Sequence, residues 1–582
     1  MTATIVAGGV DVAVRAPAAD AVWLCLFDGD AERRIAMHRI GDAWHAHVAG
    51  AGAGTRYGFR TGADTAKLLV DPHAVTLDRR FAYDPHLREP RIDTAALVPK
   101  AVVTAPLPPL DLAPVFQPGG LIYEVNVRAL TMRHPDVPAA QRGTIAALAH
   151  PAVIAHLHRI GVGAVELMPI VAWIDERHLP PLGLTNGWGY NPVVPMALDP
   201  RLAPGGIAEL RATVAALRAA GIGTLLDLVL NHSGESDLLG PTLSLRALDD
   251  AAYARAPDGT LINDAGTGNT LDFANAAVRA LALDTLRHFV TQAGVDGFRF
   301  DLATVMARGP GFDRAAPIFA EIAADPLLAR RVMIAEPWDV GPGGYQLGHF
   351  PPDWLEWNDR YRDDVRRFWR GDGGAGALAT RMMGSSDVFG DHARGVGFVA
   401  AHDGFTLADT VAFAQRHNHA NGEGNRDGHA GEIAWNNGVE GASDDSAVIA
   451  ARAADARALL ATLFASRGTI LLTAGDEFGR TQAGNNNGYA QDAVLWLDWA
   501  DRDLDLEAFV ADLARRRAAC PSLADATIAH DAEWYRLDGQ PMRDGDWADA
   551  PGFVLRLRDA TITVDRTART VTLVPSAHSQ IA

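Results

Sequence analysis

A chain of 582 residues with 48% hydrophobic and 21% charged side chains has the composition of a folded globular protein rather than of a disordered or fibrous one. It exceeds the roughly 250–300 residues that one hydrophobic core can serve, so about three domains are expected. A formal net charge of −19 repels phosphate backbones and anionic lipid, which argues against nucleic acid or a membrane as partner and is compatible with a neutral substrate.

The opening MTATIVAGGVDVAVRAPAAD has neither the basic region nor the continuous apolar stretch of a signal peptide. No later segment has the length of a membrane span, so a cytoplasmic location is expected. From Asp11 to Arg60 short apolar runs (VDVAVRAP, AVWLCLFD, WHAHVAG) alternate with Gly, Asp and Pro turn signals, the pattern of a small β-sandwich. The Pro-rich passage TAPLPPLDLAPVF, Thr104 to Phe116, reads as a linker. The N-terminal domain is therefore placed at 1–112 and the next at 113–502.

That second segment alternates strand-like runs (LIYEVNV, AVELMPI, TLLDLVL, DGFRFD, VMIAE, VGFVAAHD, TILLTAGDE) with Ala-rich stretches of helical periodicity such as NAAVRALALDTLRHFVTQAG. Repeated strand–helix units imply a parallel sheet with right-handed crossovers. A weaker run from Trp354 to Asp359 supplies an eighth strand, and eight strands close a (β/α)8 TIM barrel. An open doubly wound sheet is the competing arrangement; periodicity does not exclude it, but no GxGxxG loop supports it. Beyond this, residues 503–582 read as a helix-like stretch and then short strands (GFVLRLRD, ATITVD, TVTLVP), a C-terminal β-sandwich. Cys25 and Cys520 stand far apart without metal-ligand spacing, so buried thiols are expected rather than a disulfide or zinc site.

Charged residues cluster where the barrel strands end: Asn231 and His232 after DLVL, Arg299 and Asp301 in DGFRFD, Glu336 after VMIA, His402 and Asp403 after VGFVAA. In a (β/α)8 barrel these ends converge on the face where active sites are built. Retaining glycoside hydrolysis needs an ionised carboxylate as nucleophile and a protonated carboxyl as acid. Arg299 lies two residues from Asp301 on one strand, on the same side, and holds it ionised, which suits Asp301 as nucleophile. Glu336 follows an apolar run and faces negative neighbours, which keep it protonated, as a general acid must be. Asp403 is suited to holding hydroxyls of the reacting sugar. A lone Asp or Glu at a strand end is more often a helix cap or surface ion-pair partner, but three of them beside Arg and His at the ends of strands four, five and seven form a pattern that capping does not produce.

The segments DLVLNH, GFRFDLATV, MIAEPWD and FVAAHD, in that order, resemble the signature regions of the α-amylase family. The resemblance implies Asp301 as nucleophile, Glu336 as acid/base and Asp403 as transition-state stabiliser, with Arg299, His232 and His402 binding the sugar in the cleaved subsite. GLTNGWGYNPV (Gly183 to Val193), the loop His417 to Gly441 and AGDEFGRTQAGNNNGYAQD (Ala474 to Asp492) are similar to isoamylase-type bacterial glycogen debranching enzymes. That similarity implies hydrolysis of α-1,6 branches in glycogen or limit dextrin, with Tyr190 stacking on the sugar. Trp338 is a further sugar-contact candidate, since sugar C–H faces pack on rings; for it, as for Trp188 and Trp435, core packing is an equal alternative. Gly187 in place of an aromatic residue, Asn126 in place of His and His419 in place of an acid depart from the family pattern and bear on chain-length preference. No cofactor is expected; Asn231 corresponds to a calcium ligand in many α-amylases, without the acidic cluster that completes that site. Competing assignments are an isoamylase, a trehalose-releasing hydrolase or a branching transferase of the same family, or a non-catalytic glucan-binding protein. The N-terminal module resembles a glucan-binding module and is expected to pack on the barrel.

Overall fold

The computed structural model describes residues 3–528 and 532–576; the outermost residues of the first and last expected domains, 1–2 and 577–582, lie outside this range, as do 529–531. The middle of the chain is a closed barrel of parallel strands, Leu121–Val125, Val162–Leu167, Gly223–Leu228, Gly297–Phe300, Val332–Ala335, Leu355–Asn358, Gly395–Phe398 and Ile470–Thr473. Each pairs with the next, and the last closes onto the first with Thr473 opposite Glu124. The segment Trp354–Asp359, least regular in the sequence, forms the sixth strand. Strands such as GTLLDL are buried along their whole length, as parallel strands covered on both faces must be.

Inside the barrel, Ile122, Leu225, Ile334, Trp357, Val396 and Leu471 form a packed core, with Phe116 from the linker in the same cluster. Burying each such side chain contributes roughly 1.5–3 kcal/mol. The linker does not hang free: Val115 and Phe116 donate their amides to Asp296 Oδ2 at 2.7 and 2.9 Å. Helices close the crossovers by local chemistry. In Ala276–Ala293 the Asn275 side chain accepts from the Ala277 amide, and Gly294, at φ 80°, ends the helix in a left-handed conformation that glycine adopts without strain.

The N-terminal module is a sandwich of two four-stranded sheets. Its core runs on into the barrel domain, because Val12, Leu24 and Phe59 pack in one cluster with Ile174, Val194, Leu243 and Leu248. A polar seam seals this junction, with Val70 N donating to Leu243 O at 2.8 Å and Arg15 paired with Asp249 at 2.7 Å.

At the other end the expected C-terminal sandwich is, among the described residues, one four-stranded antiparallel sheet running from Glu533–Tyr535 to Thr570–Pro575. Its second layer is helical rather than a second sheet. Phe553, Leu555, Ile562 and Leu573 join the main core, and the last strand packs on the helices Ser446–Phe464 and Leu504–Ala518. Helix Leu504–Ala518, which the sequence alone groups with the C-terminal domain, thus bridges it to the barrel. No helix among the described residues is long and apolar enough to cross a membrane.

Candidate active site

Arg299 is the hub of the cleft. It lies on the fourth strand, fully buried, and its Nη1 meets Asp227 Oδ1 and Oδ2, each at 3.0 Å, and Asp301 Oδ1 at 3.2 Å. Nη2 lies 3.0 Å from Glu336 Oε2, an ion-pair distance off the line of a hydrogen bond. One planar cation therefore spans the two carboxyl groups that sequence reasoning pairs as nucleophile and acid.

The two sit in different surroundings. Asp301 has a side chain 13% exposed and takes a second polar contact from Asn231 Nδ2 at 2.7 Å. Glu336 is 4% exposed. Burial foremost drives its carboxyl up to about 8; Arg299 opposes this, and Asp301 and Asp403 reinforce it. A proton is thus held on Glu336 at neutral pH, as an acid catalyst requires. Leu302, directly after Asp301, has φ 42° and ψ 51°, a left-handed conformation costly for a branched side chain. This turn aims the Leu302 amide at Glu336 Oε2, 2.6 Å away, so a hydrogen bond from the strained turn holds the acid in place.

Asp403 stands beyond the seventh strand with its side chain 30% exposed. Burial pushes its carboxyl up, but His402, His429 and Arg362 outweigh this and hold it well below the usual carboxylate range. His402 is fixed through Nδ1 to Glu124 Oε1 at 2.7 Å. Burial disfavours its charge, yet Glu124 and Asp403 raise it to about 9, so it is an imidazolium at neutral pH. Tyr190 stacks on its ring, centroids 4.9 Å apart at 17°, and Trp188 meets it edge-on at 4.9 Å. The Tyr190 hydroxyl donates to Asp227 Oδ2 at 2.5 Å, which turns the ring into a rigid wall.

Asp301, Glu336, Asp403, Arg299, His402 and Tyr190 thus converge as the sequence places them. His232 does not reach the cleft freely: its nitrogens face Asn231 Oδ1 at 2.5 Å and the Tyr190 carbonyl at 3.1 Å. These contacts tie it to the aromatic loop. Trp338 is half-buried against the barrel-interior cluster, whereas Trp435 is a packing residue whose Nε1 donates to Asp455 at 2.7 Å. The departures have local reasons. Asn126 caps the helix Val127–Thr131 and donates to Gly187 O at 2.8 Å. A Cβ on Gly187 would lie 2.9 Å from Leu495 Cδ1 and 3.1 Å from Asp492 Cα, so an aromatic residue there would displace the neighbouring loop. His419 is exposed.

Sequence reasoning missed the floor. Glu124, Glu166 and Asp227 lie on the first three strands, fully buried. Burial foremost raises Asp227 to about 6 and Glu166 well above its ordinary range. Two unlike charges 4 Å apart are worth roughly 4 kcal/mol at an effective dielectric of about 20, and the carboxylates here outnumber the cations, so protons must stay on the deepest of them. An acid inside an apolar strand was the available signal. At the rim, the loops after strands seven and eight are joined by amide side chains. Asn418 Nδ2 donates to Asn486 Oδ1 at 2.8 Å, Asn421 Nδ2 to Asn487 O at 2.8 Å, and Asn485 Nδ2 to Asn421 Oδ1 at 2.9 Å. Asn231 turns its amide to Asp301 and its carbonyl to His232, and among the described residues no group of three or more His, Cys, Asp or Glu could hold a metal ion.

Residues 2–74 match carbohydrate-binding module 48, the isoamylase N-terminal domain. The chain is 45% identical to the glycogen debranching enzyme of Serratia proteamaculans (strain 568), covering 94% of this chain and 86% of that one. It is 44% identical to the glycogen debranching enzyme of Yersinia enterocolitica, over 94% and 88%. Among solved structures, pullulanase from Bacillus acidopullulyticus superposes with a TM-score of 0.72 at 19% identity, over 99% of this chain and 74% of that one. The maltotriose complex of pullulanase from Anoxybacillus sp. LM18-11 gives 0.73 at 22% identity, over 97% and 80%. These two show the fold.

Proposed function

The chain belongs to the family of bacterial glycogen debranching enzymes, and from that premise we propose that it is a glycoside hydrolase cleaving α-1,6 branch linkages of glycogen or limit dextrin with retention, releasing short maltooligosaccharides. The observation that carries the chemistry is the Arg299 fork, which holds Asp301 and Glu336 side by side while their surroundings differ; the α-1,6 linkage is supported by the family. The α-glucan substrate is supported by the family and by the N-terminal module.

In the first step Glu336 donates its proton to the bridging oxygen as Asp301 attacks the anomeric carbon. The C–O bond to the main chain breaks and a glucosyl ester of Asp301 forms. Glu336, now ionised, takes a proton from water, whose oxygen attacks the same carbon and releases Asp301. Asp403 and the His402 imidazolium hold the hydroxyls of the reacting unit, and Asp403 adds negative charge beside the oxocarbenium-like transition state. Tyr190 and Trp188 offer ring faces to the sugar, with Trp338 a further contact at the edge and His232 fixing the Tyr190 loop. No cofactor enters these steps. A cytoplasmic location belongs to the same proposal, supported by two buried free cysteines, and cell fractionation tests it.

Incubation with phosphorylase-trimmed glycogen tests the activity. New reducing ends and short linear maltooligosaccharides are expected; transfer without new reducing ends, or trehalose as product, would refute it.

A further inference from the structure

His429 lies in the loop after the seventh strand and has no part in the chemistry so far. Its Nε2 is 3.9 Å from Asp403 Oδ2, and its side chain is 54% exposed while that of Asp403 is 30% exposed. That separation is too long for a direct hydrogen bond, so both groups keep capacity for a third partner between or above them.

The backbone beneath it is fixed. His429 O accepts from Asn486 Nδ2 at 3.0 Å, and the same amide reaches Glu432 Oε2 at 2.9 Å. Asn486 is in turn held by Asn418, and both are buried. Gly428, at φ 72°, allows this approach: a Cβ there would stand 2.4 Å from Asn486 Oδ1 and 2.9 Å from Asn418 Nδ2. A loop pinned so tightly under a side chain left half in solvent is the construction of a preorganised contact, whereas an ordinary surface ion pair needs no such support. Asp403 favours the charged imidazolium, burial and Arg362 oppose it, and Glu432 on the same loop adds to the favourable side.

We propose that His429 is a substrate-binding residue of the cleaved subsite, donating from Nε2 to one hydroxyl of a vicinal diol on the reacting glucosyl unit while Asp403 accepts from the other. The assignment rests on the α-glucan reading above. A carboxylate and an N–H donor at this spacing suit two adjacent equatorial hydroxyls, which ask for one acceptor and one donor. The diol is common to every glucosyl unit, so His429 selects the glucosyl configuration and not the length of the branch.

On phosphorylase-trimmed glycogen, His429→Leu is expected to lose about tenfold in kcat/KM, the worth of one hydrogen bond to a charged group, and His429→Gln, which keeps an N–H donor, to recover part of it. Short α-1,6-linked substrates whose reacting unit lacks the 2- or the 3-hydroxyl sharpen the test. Wild type should lose on one of them, and His429→Leu should lose nothing further on that same substrate. A His429→Leu enzyme within twofold of wild type, or one paying the full deoxy penalty, overturns the assignment. If His429→Leu lowers Tm, the deoxy comparison in His429→Gln decides instead. Failure of the underlying reading looks different: wild type itself would then release no oligosaccharide from any α-1,6-linked substrate.

Discussion

The barrel floor and the loop rim act on the same carboxyl groups by opposite means. On the floor, Glu124, Glu166, Asp227 and Arg299 are buried charges or would-be charges on barrel strands, and His402, just beyond the seventh strand, is buried beside them. They decide which carboxyl group holds a proton. At the rim, Asn418, Asn421, Asn485 and Asn486 are neutral amides that decide where two loops lie. The comparison teaches that chemistry and substrate choice are separable here: charge states are written in the scaffold, and the shape that meets the glucan in side-chain hydrogen bonds of loops. Substitutions on the floor should change kcat, pH dependence or stability, whereas substitutions of the rim amides should change KM.

The largest effect is expected from the catalytic pair, and it tests whether the floor feeds one reaction. Glu336→Gln should lower kcat by about 10²–10⁴-fold and Asp301→Asn at least as much, with bound oligosaccharide still detected by calorimetry; an Asp301→Asn enzyme of near-normal turnover would break the assignment.

Next comes Arg299→Met. Removing the cation leaves Asp227 and Asp301 uncompensated, at a cost of roughly 3–5 kcal/mol, visible as a drop in denaturant midpoint beyond that of any rim variant.

The pH profile separates the regions more finely. Because Glu336 must be protonated, kcat/KM should fall as pH rises through about 8, and rim variants should keep that limb in place. Stability should follow a second group. His402 is raised on folding from 6.5 to about 9, so its pairing with Glu124 stabilises fully below 6.5 and is lost as pH climbs through about 9. Glu124→Gln should flatten the fall in Tm across that window; an unchanged slope would show the pair to be inert.

The smallest effect is expected at the rim. Asn486→Ala leaves the buried Asn418 amide and Glu432 Oε2 short of a partner, about 1–3 kcal/mol of local stability, read as faster hydrogen exchange in residues 417–432 and a raised KM at nearly constant kcat. A fall in kcat without a change in KM would erase the distinction between floor and rim.

Residue by residue, the legible part of the site is the part that local pattern writes. Asp301, Glu336 and Asp403 stand out because each ends an apolar strand, and Arg299 because a spacing of two on a strand puts it beside Asp301. His232 was harder: its strand-end position was visible, but its enclosure by Asn231 and Tyr190 depends on a loop folded back from forty residues away. Glu124, Glu166 and Asp227 were overlooked because an acid within a strand reads as a flaw in the strand until the barrel closes and brings Asp227 and Glu166 near Arg299 and Glu124 against His402. The left-handed turn at Leu302 left no trace, since nothing about leucine announces a positive φ.

What the sequence determined by itself is the alternation of strands and helices, hence the barrel, and the identity of the carboxyl groups at the strand ends, because both follow from periodicities of two and 3.6 that burial imposes on neighbouring residues. What only the tertiary structure decided is which of those groups holds a proton, which partners enclose His232 and which fix His402, and that the C-terminal sheet is backed by helices. Those outcomes depend on partners hundreds of residues apart, as Glu124 is from His402, and on a low-dielectric interior that exists only once the barrel has closed.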